Sequence, residues 1–311
     1  MNIKRIISGI SLSFIFLAAM FFVAQGAYSL SQGKNIFLGS VSGSEQISKP
    51  AVINETPKLP VPFRNWDIPE LNLTAESGIA VESSLTNTDK ILFNKNSFMR
   101  LPIASLSKLM TAVVSLENYT LSKNIVVSQE AVLQDGEQGA LELGKDMSVN
   151  DLLYIMLIES SNKAAYALSE GMDHYDFMRL MNEKARELGM DNTFFAEPTG
   201  LSAENVSTAE DLVKLAKYIL KNYPEIAKIS GMKEYDLPNY GMLTNTDELL
   251  GEVPGIVVGK TGFTLEAKGC LFLVLKNSKD NDYMIYVILG ADDRFAEMKK
   301  MIDWAGVAYK W

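Results

Sequence analysis

Ser105 and Lys108 lie three residues apart in the segment LPIASLSKLMTAVVSL, whose other positions are mostly apolar. Leu109 and Val113 belong to a helical apolar repeat, which predicts a buried helix that begins shortly after Pro102. Burying a lysine ammonium is costly unless a nearby group needs a cation or a base. Because residues three apart share one face of a helix, we expect the serine and lysine side chains to meet.

A serine beside a buried lysine can serve as a nucleophile. The amine must be neutral part of the time to accept the hydroxyl proton, and burial together with nearby positive charge lowers its pKa as this role requires. The amino end of the predicted helix would add free N–H groups for a developing oxyanion. The pattern S-x-x-K is weak by itself, because two fixed residues in four occur by chance in many chains.

Two further motifs follow in the chain and strengthen the first. Ser160 and Asn162 occur in IESSNKAA, and Lys260, Thr261 and Gly262 occur in VVGKTGFT. The ordered series S-x-x-K, S-x-N and K-T-G is the motif set of serine β-lactamases and penicillin-binding proteins. The sequence therefore predicts acyl transfer to a serine.

Other chemistries are disfavoured by the residues present. His174 is the only histidine, which excludes metal sites with two or more histidines, and no G-x-S-x-G elbow supports a Ser-His-Asp triad. Cys270 is the only cysteine, so we expect a core residue and no intrachain disulfide. Pro254 stands where a phosphate-binding loop needs glycine. A net charge of -9 without a basic stripe disfavours nucleic-acid binding.

The elements that must position these motifs are strands at both ends of the domain with helices between them. GIAVESS and KILFNKN flank a polar turn at 85–89 and predict a β-hairpin. Helical patterns dominate from 103 to about 220, and strand-like runs return in GIVVGKTG, GCLFLVLK and YMIYVILGA before a closing helix, RFAEMKKMIDWAGVAY. This order predicts one α+β domain whose sheet is closed by distant segments of the chain.

Residues 1–28 are predicted to be a signal peptide or a membrane anchor. Lys4 and Arg5 precede a segment without charged residues, and its apolar part is longer than the ~7 to 15 residues of a signal core and close to the ~20 of a membrane span. The charges keep the amino end in the cytoplasm. Residues 29–70, rich in Ser, Gly and Pro, are predicted to be a flexible linker, and residues 71–311 the catalytic domain.

From Ser77 to Trp311 the chain resembles the low-molecular-mass penicillin-binding proteins of the serine D-Ala-D-Ala carboxypeptidase type. The resemblance rests on IASLSKLMT, LLYIMLIESSN, NTFFAEPTGL, STAEDLVKLA, GKTGFT and DDRFAEMKKMIDWA, in that order. It implies the α+β fold of β-lactamases and DD-peptidases, in which an antiparallel sheet is flanked by helices and carries an inserted, mainly helical subdomain. It also implies an enzyme that removes the terminal D-alanine from peptidoglycan stem pentapeptides. It further implies inhibition by β-lactams, a cell-envelope location as a secreted or membrane-anchored protein, a role in cell shape, and no metal or other cofactor.

The resemblance also implies roles for the first two motifs. Ser105 would attack the penultimate D-alanine carbonyl, and Lys108 would be the general base that later helps to activate water. Ser160 would relay protons, and Asn162 would hold the peptide backbone of the substrate.

The third motif and a later arginine would bind the substrate. Lys260 would supply positive potential, and Thr261 would bond the terminal carboxylate within the same motif as Gly262. The backbone N–H groups of the nucleophile and of Phe263 would form the oxyanion hole. Arg294 matches a family arginine near the substrate carboxylate, or it pairs with an acidic neighbour at a helix start.

Three alternative functions stay open. A D,D-endopeptidase acting on peptidoglycan cross-links shares every catalytic residue. A β-lactamase of class A needs a glutamate for deacylation, and no E-x-x-L-N-like segment occurs from Lys163 to Gly259. A catalytically silent peptidoglycan-binding protein has no need of a nucleophile and its base.

Overall fold

The computed structural model describes residues 62–84, 89–136, 138–277 and 282–311. The predicted signal or anchor at 1–28, most of the predicted linker at 29–70 and most of the 85–89 turn lie outside the described residues. Within the described ranges, no helix has the length and apolar character needed to cross a bilayer.

The strands run throughout the described chain. In chain order they are β1 (Phe63–Arg64), β2 (Ser77–Ser83), β3 (Lys90–Lys95), β4 (Leu101–Pro102), β5 (Asn124–Val126), β6 (Asp146–Ser148), β7 (Val206–Ser207), β8 (Glu234–Leu237), β9 (Gly241–Thr244), β10 (Ile256–Thr264), β11 (Lys268–Lys276), β12 (Tyr283–Ala291) and β13 (Tyr309–Lys310).

Most of the helices fall between β3 and β10, and one follows β12. They are a 3-10 helix (Ala104–Ser107), α1 (Lys108–Asn118), α2 (Gln129–Val132), α3 (Val149–Ile158), α4 (Asn162–Ser169), α5 (His174–Glu187), α6 (Ala209–Asn222), α7 (Pro224–Ser230) and α8 (Arg294–Ala308).

The main sheet has five strands in the order β10-β11-β12-β2-β3, and all of its neighbours are antiparallel. The predicted hairpin is confirmed, because β2 pairs with β3. Its other neighbour is β12, so distant segments close the sheet as the sequence predicted. Side chains alternate between the two faces of a strand. Ile79 and Val287 accordingly pack in the core of the helical region, and Ala80 and Ile288 pack with α8.

The helical pattern through IESSNKAA is divided into two helices at the second motif. Ser160 has a φ of 60°, a left-handed conformation in which an α-helix does not continue. Ser161 then starts α4, because its Oγ accepts a hydrogen bond from Ala164 N at 3.2 Å. With the helix interrupted here, Asn162 Oδ1 contacts Lys108 of the first motif and Ser160 Oγ contacts Lys260 of the third.

Candidate active site

Ser105 lies in the 3-10 helix, and Lys108 is the first residue of α1. Side chains three residues apart are eclipsed in a 3-10 helix, and Lys108 Nζ lies 2.9 Å from Ser105 Oγ. The predicted pairing is therefore present, although the α-helix starts later than the sequence suggested. The turn is held from behind by Gly200, which has a φ of 89° and where a Cβ would lie 2.1 Å from Ala104 O. Only glycine allows this contact.

The Lys108 amine is fully buried among oxygen atoms. Besides contacting Ser105 Oγ, it donates to Asn162 Oδ1 at 2.6 Å and to the Thr199 carbonyl oxygen. A neutral amine has two protons, and these two acceptors take both, which leaves the lone pair for the Ser105 hydroxyl. Burial lowers the pKa of Lys108 to about 7, against the opposing charge of Glu197. The geometry and the pKa both suit a general base near neutral pH.

Residues 196–205 form a loop that supports Lys108, and the sequence analysis assigned no role to it. The Glu197 carboxylate accepts hydrogen bonds from Thr199 N and Gly200 N, both at 2.6 Å. Asn205 Nδ2 donates to Glu197 Oε1 and to Ser107 Oγ, each at 3.0 Å. The available signal was a glutamate directly before P-T-G-L, a turn whose N–H groups need an acceptor. The hydrogen bonds of the Glu197 carboxylate therefore stabilise the conformation of the 196–205 loop.

The second motif faces the first across the cleft. Asn162 presents Oδ1 to Lys108 and donates from Nδ2 to Asp135 O at 2.6 Å, so the amide has a fixed orientation. Ser161, the fully buried middle residue, donates to Gly139 O at 2.9 Å. Residues 135–136 and 138–139 thus brace the motif from the side away from Lys108.

Lys260 is the second buried lysine of the site. Its Nζ donates to Ser160 Oγ at 2.7 Å, which joins the second and third motifs. Burial lowers the pKa of Lys260 well below its usual value, and the positive charges of Lys108 and Arg294 lower it further. We infer that this amine takes up a proton most readily when an anion enters the cleft.

Strand β10 lies directly against the nucleophile turn at Gly262. A Cβ at this position would lie 3.0 Å from Ile103 O and 3.1 Å from Ser105 N, so a side chain would push the strand away. Phe263 follows on the strand with an exposed side chain. The two backbone groups expected to form the oxyanion hole therefore belong to segments that are in contact.

Arg294 begins α8 and reaches the third motif. Its Nη1 donates to Gly262 O at 3.3 Å, whereas Nε is buried without a hydrogen-bond partner. Of the acids next to it in the chain, Asp293 caps α8 and Glu297 accepts from Thr74 N. Burial lowers the pKa of Arg294, against the charge of Glu248, which precedes the third motif in the chain. This placement agrees with an anion-binding arginine better than with a local ion pair.

Two polar residues beside β10 were missed by sequence reasoning. Thr246 Oγ1 lies 2.5 Å from Thr261 Oγ1. Asp247 is 2% exposed, and its Oδ2 has no hydrogen-bond partner and would lie 2.5 Å from a Cβ at Gly259. Burial raises the pKa of Asp247 to about 6. Their signal in the sequence is only a short polar turn, TNTDE, ahead of the third motif.

The side chains of the histidine and the cysteine that the sequence analysis considered make no hydrogen bond to the three motifs in the described structure. His174 starts α5, and its Nδ1 lies 3.0 Å from Ser169 Oγ. Cys270 is fully buried, as predicted. Across the described ranges, no cluster of three or more His, Cys, Asp or Glu side chains could hold a metal ion.

Comparison with known proteins gives the family. A family model described as D-alanyl-D-alanine carboxypeptidase matches residues 66–293. The chain belongs to this family. It is 38% identical over 256 residues to the D-alanyl-D-alanine carboxypeptidase DacF of Bacillus subtilis, an alignment that covers 78% of this chain and 64% of that protein. It is also 35% identical over 232 residues to the D-alanyl-D-alanine endopeptidase of Escherichia coli, covering 70% of this chain and 74% of that one.

Solved structures of D-alanyl-D-alanine peptidases share the fold. Penicillin-binding protein D2 from Listeria monocytogenes, solved in its cefotaxime-bound form, matches with a TM-score of 0.69 and 30% identity. The match covers 76% of this chain and 99% of that chain. The predicted fold and family are therefore confirmed.

Proposed function

We propose that this protein is a serine D-Ala-D-Ala carboxypeptidase that removes the terminal D-alanine from peptidoglycan stem pentapeptides. The observation that carries the proposal is the setting of Lys108, whose buried amine lies 2.9 Å from Ser105 Oγ and donates to two carbonyl oxygens. This setting activates a nucleophile. Family membership supplies the substrate class.

Acylation begins at Ser105. Its Oγ attacks the penultimate D-alanine carbonyl while its proton passes to Lys108, and the C–O bond forms as charge develops on the carbonyl oxygen. The backbone N–H groups of Ser105 and Phe263 stabilise that charge. Collapse of the intermediate breaks the C–N bond, and the proton that Lys108 received passes through Ser160 to the departing amine, which leaves Lys108 neutral again. Free D-alanine leaves, and water, activated by Lys108, hydrolyses the acyl-enzyme.

The second and third motifs assist this sequence by their mutual contact. The hydrogen bond from Lys260 to Ser160 orients the hydroxyl that hands a proton to the leaving amine. Asn162 holds the peptide backbone next to Ser105. These roles of Ser160, Asn162 and Lys260 depend on where the break between α3 and α4 and strand β10 hold the three side chains.

The free carboxylate of the terminal D-alanine is bound by Thr261, Lys260 and Arg294 through charge-assisted hydrogen bonds. Support comes from the Arg294 contact with Gly262 O and from its unpartnered Nε, both beside the third motif. The same groups accept the carboxylate of a penicillin. The bound cefotaxime of the Listeria protein is in line with this expectation.

Peptidoglycan is the substrate of this family, so the enzyme acts in the cell envelope. We propose that residues 1–28 direct the chain across the membrane as a cleaved signal or an anchor. The residues from 29 to the start of β1 then act as a linker, because Phe63 and Arg64 pair with Lys310 and Tyr309 and so belong with the catalytic domain predicted at 71–311. Trimming of stem peptides contributes to cell shape.

The deciding experiment offers full-length protein a synthetic pentapeptide ending in D-Ala-D-Ala and the same peptide with its terminal carboxylate amidated. We expect release of free D-alanine from the acid and a kcat/KM at least ~10-fold lower for the amide, since about 1.4 kcal/mol of transition-state binding is lost. Equal turnover of acid and amide would contradict the carboxylate site.

Endopeptidase activity is the second candidate, because the Escherichia coli relative of that name is 35% identical to this chain. Cross-linked muropeptide dimers are therefore a parallel substrate. Cleavage of dimers without release of D-alanine from pentapeptide would favour the endopeptidase. Fast release of hydrolysed penicillin would favour a β-lactamase, and a protein that neither reacts nor turns over would be a binding protein.

A further inference from the structure

The turn formed by residues 245–249, here named the 245–249 turn, joins the two sides of the cleft. Thr246 N donates to Ile158 O at 3.3 Å, at the end of α3 and two residues before Ser160. The Thr246 hydroxyl lies 2.5 Å from the Thr261 hydroxyl on β10. Thr246 is thus bonded to the second motif by its backbone and to the third by its side chain.

The turn itself is tightly held. Asn245 Nδ2 donates to Ser230 O at 3.1 Å and to Met232 O at 2.8 Å, and Asp247 N donates to Asn245 Oδ1 at 2.9 Å. The Asp247 side chain packs against Gly259, which lies on β10 two residues before Thr261. Thr246 therefore has little freedom to move away from the hydroxyl that it contacts.

The numbers of protons and lone pairs on the two hydroxyls decide which threonine donates in the Thr246–Thr261 hydrogen bond. Each threonine hydroxyl has one proton and two lone pairs, and a carboxylate is an acceptor only. When Thr261 donates its single proton to a carboxylate, it can share a hydrogen bond with Thr246 only by accepting one. The order is then Thr246 to Thr261 to the carboxylate, and donors in such a chain polarise one another.

We propose that Thr246 is a positioning residue for the carboxylate end of the substrate, because its hydroxyl donates to Thr261 and aims the Thr261 proton at that carboxylate. The proposal rests on the proposed function and deepens it. It predicts that Thr246 matters for ligands that carry a free carboxylate and has no effect on ligands that lack one.

The test compares acylation of full-length protein by benzylpenicillin and by its methyl ester, which keeps the lactam but lacks the free carboxylate. Thr246→Val removes the hydroxyl at nearly constant volume, Thr246→Ala removes it in a smaller side chain, and Thr246→Ser keeps it. Thr244→Val is the matched control, because Thr244 is an exposed threonine two residues away at the end of β9. Thermal melting confirms that each variant is folded.

We expect both hydroxyl-free variants to lower the acylation rate for benzylpenicillin about 10-fold, the scale of one lost hydrogen bond. The rate for the methyl ester should stay within about 2-fold of wild type, Thr246→Ser should restore most of the loss, and Thr244→Val should match wild type.

If the Thr246 variants lose acylation rate equally with acid and ester, Thr246 has a merely structural role. If they lose no rate with the acid, Thr246 has no role in acylation. Both results overturn the proposal while the proposed function stands. A folded wild-type protein that benzylpenicillin does not acylate would overturn the proposed function, and this proposal with it. The two failures are thereby distinguishable.

Discussion

The two sides of the cleft each bury a lysine, but they satisfy their polar groups differently. The nucleophile side consists of the 3-10 helix, the first turn of α1 and the 196–205 loop, and its buried groups bond to one another, as Asn205 does to Glu197 and Ser107. The strand side consists of β10, the 245–249 turn and Arg294. It leaves Asp247 Oδ2 and Arg294 Nε buried without partners.

The difference indicates that the nucleophile side is built for catalysis and the strand side for binding the ligand. Unpaired buried polar atoms cost stability, so they persist where another gain offsets that cost. The nucleophile side is complete before substrate arrives, which suits a base whose geometry must already be set. On the strand side, Arg294 Nε is an unused donor beside the third motif, which suits a ligand that brings its own negative charge.

The lysines follow the same division. Lys108 lies near the negative charge of Glu197 and keeps a pKa of about 7. Lys260 instead faces the positive charges of Lys108 and Arg294, and its pKa is depressed further by them. An incoming carboxylate adds to the negative charge of Asp247 beside Lys260, and it should therefore raise the pKa of Lys260.

The largest expected effect comes from removing the nucleophile. Ser105→Ala should form no covalent adduct with a fluorescent penicillin, because among the described residues Ser105 supplies the one hydroxyl that is hydrogen-bonded to the Lys108 amine. Ser115→Ala, a buried serine of the same α1 helix, should label like wild type. Gel fluorescence and mass analysis measure both. Normal labelling of Ser105→Ala would refute the assignment of the nucleophile.

The next largest effect is expected for Lys108→Arg. Arginine keeps the positive charge but stays protonated, so acylation should fall by ~10² or more, the scale of general-base removal. Lys163→Arg is the control, since Lys163 donates to Gly136 O at the exposed rim of the second motif. Stopped-flow acylation rates decide the matter, and near-normal rates for Lys108→Arg would exclude a base at this position.

Wild-type acylation should also depend on pH with a defined sign. Lys108 must be neutral to accept the Ser105 proton, and its pKa is about 7. The rate should therefore rise about tenfold per pH unit below 7 and level off above it. Benzylpenicillin acylation measured from pH 5.5 to 9 gives the profile. A flat profile would mean that proton transfer to Lys108 does not limit acylation.

The smallest effect is predicted on stability and lies on the strand side. The folded-state pKa of Asp247 is raised from 3.8 to about 6, so stability that is fully present below about 4 is lost as the pH rises through about 6. Asp247→Asn should avoid this loss and be more stable than wild type at pH 8 by about 1 to 3 kcal/mol.

Urea unfolding at pH 8 and pH 4 checks this prediction, with exposed Asp236→Asn as the control. The gain should disappear at pH 4, where wild-type Asp247 is neutral as well. A destabilised Asp247→Asn protein at pH 8 would show that the buried charge supports the strand side, contrary to the comparison drawn above.

The motifs were predictable because their residue types carry the chemistry and their order is unusual. The hairpin and the sheet strands were predictable from alternation and apolar runs. The break at Ser160 was not, because a left-handed φ in a non-glycine residue is stabilised by contacts made elsewhere in the fold. Lys108 and Thr199 are 91 positions apart, and Thr246 and Thr261 are 15 apart, so local sequence patterns could not predict either contact.

The pairing of β2 with β12 governs how the molecule must fold. Ser83 pairs with Tyr283, so β2, the first strand of the hairpin, has its second partner 200 positions later in the chain. Non-local pairing of this kind gives a high contact order, and such topologies fold slowly. During synthesis the helices form first, while the edge of β2 stays open until the last strands emerge. The domain is therefore expected to be most vulnerable to aggregation and proteolysis in that interval.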